Sequence, residues 1–144
     1  MTHPLDPLTA TEISESSRLI KELKLNKNGW IFNSIILIEP PKSELAPLLL
    51  LNNKNSLQEI TKSFPRKSFV LLIEKKTGIV YEAVVNLTSK IIEEFNTAKS
   101  GEQPTLTPED CFEAEKIAKE DASVQGKCRS LGLNDMNLIT ADPW

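Results

Sequence analysis

Few side chains in this sequence of 144 residues could carry chemistry. The chain has one histidine, His3, one tyrosine, Tyr81, and two cysteines, Cys111 and Cys128. A zinc site would need more ligands, because no further cysteine or histidine pair accompanies the two thiols. A cysteine nucleophile would need His3 beside one of them. We therefore expect the cysteines to pack as small apolar side chains between neighbouring helices, and to stay reduced inside a cell.

Paired carboxylates are the other candidates for acid–base chemistry. They occur at Glu93-Glu94, where they fit a solvated strand face, and at Glu109-Asp110. The second pair follows Thr107-Pro108, a helix cap and a first-turn proline, where acidic side chains suit the helix dipole. The sequence contains no glycine-rich dinucleotide fingerprint, Walker loop or His-Glu-x-x-His motif. We predict no catalytic residue, no bound cofactor and no metal ligand in this chain.

Composition limits the possible partners. Hydrophobic residues make up 40% and charged residues 26%, the balance of a globular protein. The net charge of −3 offers no basic surface for nucleic acid. The longest apolar stretch, residues 46–51, is far shorter than the ~20 residues of a membrane helix. The N-terminus carries Asp6, Glu12 and Glu15 without an apolar core, so we predict no secretory signal and no membrane partner.

The elements that must position these side chains begin with a helix. Thr9 and Glu12 have the spacing of a capping box, and apolar residues recur at helical spacing up to Leu23. Lysines gather toward the expected end of this helix at Asn28-Gly29. Residues 30–39 then predict a strand, which two prolines stop.

A β-hairpin is the clearest element of the sequence. Two β-branched and aromatic runs, 68–74 and 79–87, flank a turn in which Gly78 can adopt a positive φ. Residues 89–97 are ambiguous, because their glutamates favour a helix and their isoleucines and phenylalanine favour a strand. Between the first strand and the hairpin we predict a short helix or irregular segment over 43–51, a polar loop over 52–55 and one or two helical turns over 56–62.

The elements predict an α+β fold with a small antiparallel sheet packed on a helix over residues 4–97. Residues 98–104 are polar and rich in structure breakers, and predict a linker. Residues 105–144 supply two helices, about 108–119 and 121–131, the second ending at Gly132. Two helices alone have little core, so we expect further structure downstream of residues 105–144.

Several short motifs, in order along the whole chain, resemble those of the copper amine oxidases. The motifs are His3-Pro-Leu-Asp-Pro-Leu-Thr9, Phe32-Asn-Ser34, Leu37-Ile-Glu-Pro40, Pro65-Arg66, Tyr81-Glu-Ala-Val-Val-Asn-Leu87, Leu106-Thr-Pro-Glu-Asp110 and Asp142-Pro-Trp144. The chain is most similar to intracellular, peroxisomal-type fungal members. The resemblance implies the cystatin-like second N-terminal domain (N2) of that family, with a fourth strand over 89–97. It also implies that residues 105–144 are the beginning of the third (N3), an incomplete second α+β domain represented by its two helices.

The resemblance also implies a parent enzyme that converts primary amines to aldehyde, ammonia and hydrogen peroxide. Family members hold copper with three histidines and make topaquinone from a tyrosine in an Asn-Tyr-Asp/Glu context. One histidine, His3, cannot provide the copper site, and Tyr81 stands between Val80 and Glu82. The catalytic aspartate belongs to a sandwich domain outside this sequence. We therefore expect no activity from the chain alone.

The resemblance implies that the partner of this chain is the catalytic domain of the parent enzyme. Enzymes of the family are homodimers, and the chain would meet primary amines only as part of such an enzyme. The N3 domain flanks the substrate entrance there, so Trp144 is the one substrate-channel candidate; alternatively, it is an apolar anchor at a domain junction. Exposed apolar surface is expected at 48–51 and on the second helix pair, leaving the fragment poorly soluble or partly molten alone. The expected location is cytoplasmic or peroxisomal.

Two other interpretations remain open at this stage. The chain could be a standalone interaction module or a relic that has lost its enzyme. It could also be an unrelated cystatin-like binding fold, if the ordered motifs are coincidental.

Overall fold

The computed structural model describes residues 3–23, 29–50 and 64–141, which belong to two compact units, Met1–Pro104 and Thr105–Trp144. The elements of unit 1 are α1 (Ala10–Glu22), β1 (Trp30–Ile38), α2 (Lys42–Leu49), β2 (Lys67–Glu74), β3 (Val80–Asn86) and β4 (Ile91–Thr97). Those of unit 2 are α3 (Pro108–Glu120), α4 (Ala122–Ser130) and the 3-10 turn η1 (Met136–Leu138).

The four strands of unit 1 form one antiparallel sheet in the order β1-β2-β3-β4. Each strand pairs with its neighbour in sequence, so every connection within the sheet can be local. Both edge strands contain one extra residue relative to their partners: Asn33 in β1, between Phe32 and Ser34, and Glu93 in β4. The predicted α+β fold, with its sheet packed on a helix, is confirmed.

Helix α1 covers one face of the sheet. Ile20 of α1 is fully buried and packs with Val70 and Leu72 of β2 and with Ala83 and Val85 of β3. Burial alternates along β2 because successive strand side chains point to opposite faces. Each buried valine, leucine or isoleucine side chain stabilises the unit by about 1.5–3 kcal/mol relative to an exposed one. The core therefore lies between α1 and the two central strands.

The face of the sheet opposite α1, called the outer face below, is apolar along β1 and β2. Ile31 and Ile36 of β1 are 45% and 55% exposed. Their cross-strand partners in β2 are Ile73 and Phe69, which are half-buried. Acidic side chains lie on the β3 and β4 half of this face, among them Glu82.

The hairpin between β2 and β3 closes as the sequence predicts, with Gly78 at φ 70°. The backbone N–H of Gly78 donates to the carbonyl of Glu74 at 3.0 Å, and the N–H of Glu74 donates to the carbonyl of Ile79 at 2.8 Å. Lys76 also has a positive φ, 76°, which its side chain type did not indicate.

The fourth strand, the end of α1 and the segment 52–62 were each predicted from the sequence, with different outcomes. Residues 91–97 are a strand, as the resemblance implied. Helix α1 ends at Glu22, with Leu23 as its cap, where an N–H···O bond from Leu23 to Ile20 tightens the last turn. The expected end near Asn28-Gly29 was therefore too late, and residues 24–28 lie outside the described part. The loop predicted over 52–55 and the helical turns over 56–62 also lie outside it.

The two helices of unit 2 begin where their capping residues stand. The Thr107 hydroxyl accepts from the N–H of Asp110 at 3.2 Å, and Asp110 accepts from the N–H of Thr107 at 2.8 Å. Asp121 caps α4 by accepting from the N–H groups of Ser123 and Val124 at 2.9 and 3.0 Å. Gly132, at φ 84°, follows the end of α4. No residue of α3 or α4 is buried.

Candidate functional site

Tyr81, considered above as a quinone precursor, is part of an aromatic cluster on the α1 side of the sheet. Its ring meets Trp30 edge-on, with centroids 5.2 Å apart, and stacks on Phe95 at 5.4 Å. Trp30 and Phe95 also meet edge-on at 5.9 Å. Such contacts add about 0.5–1.5 kcal/mol beyond area burial. Packing between three strands is therefore a sufficient reason for an aromatic side chain at this position.

The donor set of the chain does not fit the copper site that the resemblance implies for the parent enzyme. The single imidazole, that of His3, accepts a hydrogen bond at Nδ1 from the N–H of Leu5 at 3.2 Å. No group of three or more histidine, cysteine or carboxylate side chains lies together in residues 3–23, 29–50 and 64–141. Cys111 of α3 and Cys128 of α4 are free thiols and half-buried. We therefore derive no copper or quinone chemistry from these residues.

Arg66, just before β2, is the most extensively bonded side chain in the described structure. It is 9% exposed, and its guanidinium forms a two-pronged ion pair with Glu12: Nε to Oε1 at 2.6 Å and Nη2 to Oε2 at 3.1 Å. The remaining donors reach four backbone carbonyls of the N-terminal segment, those of His3 (2.8 Å), Pro4 (3.5 Å), Asp6 (3.1 Å) and Pro7 (3.3 Å). We call this set of contacts the Arg66 clasp.

The elements around the clasp fix its geometry. Glu12 is held in place because it also completes the capping box of α1, accepting from the N–H of Thr9 at 2.8 Å. The backbone of Arg66 is tied to the turn after β3, where its N–H donates to the Thr88 hydroxyl at 3.0 Å. Its carbonyl accepts from the N–H of Leu87 at 2.9 Å. The clasp thus joins the N-terminal segment, α1 and two strands.

Electrostatics favour the ionised form of Glu12. Its partial burial acts to raise the pKa of the carboxyl, but the hydrogen bonds from Arg66 and Thr9 and the nearby positive charge outweigh it, so the pKa lies below its usual value. A carboxylate that is ionised and bonded in this way is a poor proton donor or acceptor at neutral pH. The pair is therefore suited to holding structure rather than to acid–base catalysis.

A cleft of about 260 Å³ opens beside the clasp, lined by Thr11, Glu12, Glu15, Arg66, Leu87, Thr88 and Lys90. Its charges are matched within the protein. Lys90 Nζ lies 3.7 Å from Glu15 Oε1, and Glu12 is bound by Arg66. The cleft therefore offers no free charge with which to select a small ion.

A second polar cluster closes the turn between β3 and β4. Asn86 is buried, and its side-chain oxygen accepts from the N–H groups of Thr88 and Ser89 at 3.1 and 3.0 Å. Its amide donates to Glu93 at 2.8 Å, and Glu93 also pairs with Lys67 at 2.6 Å. The Lys67 bond, with that from Asn86, holds the pKa of Glu93 below its usual value. Glu93, the first residue of the carboxylate pair Glu93-Glu94, thus has a structural role as the ion-pair partner of Lys67.

A buried hydroxyl pair lies under α1. The Oγ atoms of Ser16 and Ser68 are 2.7 Å apart, both residues are fully buried, and Ser16 also donates to the carbonyl of Glu12 at 2.9 Å. Sequence reasoning singled out neither serine. The Pro65-Arg66 motif is the sequence signal that indicates a role for Arg66.

Unit 2 exposes large apolar side chains. Phe112 and Ile117 of α3 are 70% and 60% exposed, and Leu106, Leu131 and Leu138 are 66%, 66% and 79% exposed. The expectation of exposed apolar surface on this helix pair is confirmed. In unit 1, Leu50 is 82% exposed. Trp144, the substrate-channel candidate, lies outside the described residues. No helix in the described ranges is long and apolar enough to cross a membrane.

Comparison with known proteins identifies a single family. A family model described as "Copper amine oxidase, N2 domain" matches residues 3–97. The chain is 24% identical, over its whole length, to a primary amine oxidase from Arthrobacter sp., of which it covers 20%. It is 28% identical to the peroxisomal N-methylputrescine oxidase 1 of Nicotiana tabacum, with 99% of the chain and 21% of that protein aligned.

Among solved structures, the chain is similar to a copper-containing benzylamine oxidase from Hansenula polymorpha. The TM-score is 0.73 at 24% identity, over 92% of this chain and 20% of that one. The fold is therefore shared. The chain spans about a fifth of the length of the relatives that it matches.

Proposed function

The chain belongs to the copper amine oxidase family, and we propose that it acts there as a non-catalytic N-terminal part of a primary-amine oxidase. The parent enzyme would oxidise primary amines to aldehydes with release of ammonia and hydrogen peroxide. Its copper and topaquinone would belong to the part of the enzyme that this sequence does not include. The chain alone would have no oxidase activity.

The observation that carries this proposal is the contrast between the two units. Unit 1, which contains the match to the N2 family model, has a buried core and a satisfied polar network. Unit 2 has capped helices but leaves Phe112 and Ile117 of α3 largely exposed. A helix pair of this kind needs a further surface to cover its apolar side chains. We propose that the catalytic part of the parent oxidase, or the rest of an N3 domain, supplies that surface.

Within the parent, the two units would help to form the substrate entrance. Trp144 is the residue that we propose for the channel wall, on the strength of its Asp142-Pro143-Trp144 motif. Two relatives named as peroxisomal, from tobacco and from Pichia angusta, support a peroxisomal or cytoplasmic location for the parent. The homodimeric state of the parent is part of the same proposal.

Sequencing the transcript downstream of the Trp144 codon is the direct test. We expect an open frame that encodes three copper histidines and a tyrosine in an Asn-Tyr-Asp/Glu context. A stop codon immediately after Trp144 in the mature transcript would overturn the proposal, and would leave a standalone interaction module or a relic.

If the frame continues, the full product should be expressed with Phe112→Asp and, as its control, with Glu113→Asp at the neighbouring exposed position of α3. We expect Phe112→Asp to lower the yield of peroxide-producing oxidase or the temperature at which it loses activity. The control should leave both unchanged. Equal behaviour of the two variants would show that α3 does not dock.

A further inference from the structure

Strands β1 and β2 are apolar on both faces of the sheet. The polar residues of β1 are only Asn33 and Ser34, and residues 69–73 of β2 are all apolar. An antiparallel strand with one face in water usually alternates between apolar and polar side chains, whereas a strand that is buried on both faces is apolar throughout. The sequence of these two strands is therefore typical of a sheet that is covered on both sides.

The described part of the structure leaves the outer face of these strands open to solvent. Ile31 and Ile36 of β1 are about half exposed, and their cross-strand neighbours in β2 are Ile73 and Phe69. Phe69 in turn lies beside Val84 of β3. An apolar strip therefore crosses three strands of the outer face, on the side of the sheet that α1 does not cover.

Unbalanced negative charge borders this strip. Glu82 of β3 and Glu94 of β4 lie on the same face, and neither carboxylate has an ion-pair partner among the described residues. Lys67, which also belongs to this face, is already bound by Glu93 at 2.6 Å. A complementary surface would be apolar over β1 and β2 and positively charged over β3 and β4.

We propose that the outer face is the side on which unit 1 docks against the rest of the parent polypeptide, and that the docked surface places a lysine or arginine opposite Glu82 and Glu94. This inference rests on the proposed function. The chain covers 20% and 21% of two relatives, so a parent of their length would hold about four-fifths of its residues outside this sequence. The contact is separate from the one proposed for α3, because it uses the sheet of unit 1.

Charge favours the rest of the parent over a second copy of this chain as the occupant. Two outer faces packed against each other would bring Glu82 and Glu94 of both copies into one interface. The described residues of this face provide no unpaired cation to balance them. Burying carboxylates without partners is costly, so the covering surface must bring its own positive charge.

Hydroxyl-radical labelling with residue-resolved mass spectrometry tests the docking directly. The isolated chain and the full oxidase would be labelled under the same conditions. We expect the labelling rates of Ile36 and Phe69 to fall at least threefold in the oxidase. Ile79, which is 40% exposed at the turn between β2 and β3, is the matched control and should keep its rate.

Charge variants of Glu94 test the positive partner. Glu94→Lys should lower the temperature at which the full oxidase loses activity by about 2–4 °C, and Glu94→Gln should lower it less. The difference between the two variants should shrink at high salt, because salt screens the repulsion. Both variants should leave the urea midpoint of the isolated chain unchanged. Equal effects of lysine and glutamine in the oxidase would show that the facing surface carries no cation.

Three labelling results would overturn the docking. Equal rates at Ile36 in the chain and in the oxidase would show that the face stays in water. Slow labelling of the isolated chain at every concentration would show that another part of the same chain covers the face, and labelling that slows as the concentration rises would assign the face to a second copy. An active oxidase with any of these results refutes the docking alone, whereas a stop codon after Trp144 refutes the proposed function on which it rests.

Discussion

Replacing Arg66 with alanine would remove the centre of the clasp and should destabilise unit 1 strongly. The substitution removes both Arg66 bonds to the Glu12 carboxylate, which keeps its bonds from Thr9, and it removes the guanidinium bonds to four backbone carbonyls. Removing one partner of a buried ion pair costs about 3–5 kcal/mol. Because the Glu12 side chain is 19% exposed, water can donate some of the hydrogen bonds that Arg66 no longer provides. We therefore expect about 3 kcal/mol, the low end of that range.

A loss of that size is easy to measure in a unit of about 100 residues. Each kcal/mol lowers the melting temperature of such a unit by about 4–8 °C, so the variant should melt roughly 12–24 °C lower. Urea unfolding followed by the fluorescence of Trp30 reports on unit 1, because this indole packs against Tyr81 and Phe95. A Trp144→Phe background removes the only other tryptophan.

Arg18→Ala is the matched control for Arg66→Ala. Arg18 is 47% exposed and pairs with Glu15 at 2.8 Å and with Glu22 on the surface of α1. Exposed pairs of this kind contribute about 0–1 kcal/mol. If Arg66→Ala lowers the free energy of unfolding by less than about 1 kcal/mol, as Arg18→Ala is expected to, the reasoning is refuted. Full additivity between Arg66→Ala and removal of residues 1–8 would also refute it, because both changes dismantle the same contacts.

Three further predictions concern single contacts. The pKa of Glu12 is lower in the folded chain than in the unfolded one. Its contribution to the free energy of unfolding should therefore be complete above the unfolded-state pKa and lost as pH falls through the folded-state pKa. Urea midpoints measured from pH 7 to 3 should show this loss, and Arg66→Ala should make the pH dependence smaller. Ser68→Ala should cost about 0.5–1.5 kcal/mol, because Ser16 loses its bond to Ser68 and keeps its bond to the Glu12 carbonyl. The double alanine variant should cost less than the two single losses summed, which a thermodynamic cycle on urea data would measure. Thr107→Ala should cost about 1 kcal/mol at the start of α3 and speed amide exchange there, without moving the unit 1 transition; a changed unit 1 midpoint would contradict it.

Local signals in the sequence were sufficient for the helix starts and the hairpin. Thr9 with Glu12 and Thr107 with Pro108 specify their helix ends through contacts three residues apart, and Gly78 specifies a turn. The family was also identified correctly from short ordered motifs, as the match to residues 3–97 confirms. Each of these signals depends only on residues that are close together in the sequence.

The polar network could not be predicted, because its partners are distant in sequence. Arg66 and Glu12 are 54 residues apart and Ser16 and Ser68 are 52 apart, so their contact depends on how α1 lies on the sheet. The strand over 91–97 was ambiguous for a related reason. Glutamate favours a helix in isolation, and pairing with β3 decides the outcome instead.

The clasp has a consequence for how the first residues of the chain are recognised. Arg66 binds the main-chain oxygens of residues 3, 4, 6 and 7, and none of the side chains of those residues. What the guanidinium selects is the path of the backbone, which Pro4 and Pro7 restrict through their fixed φ. The side chains of His3 and Asp6 support the same path, because they accept from the N–H groups of Leu5 and His3. Arg66 therefore recognises the curvature of this segment, and the prolines, His3 and Asp6 produce that curvature.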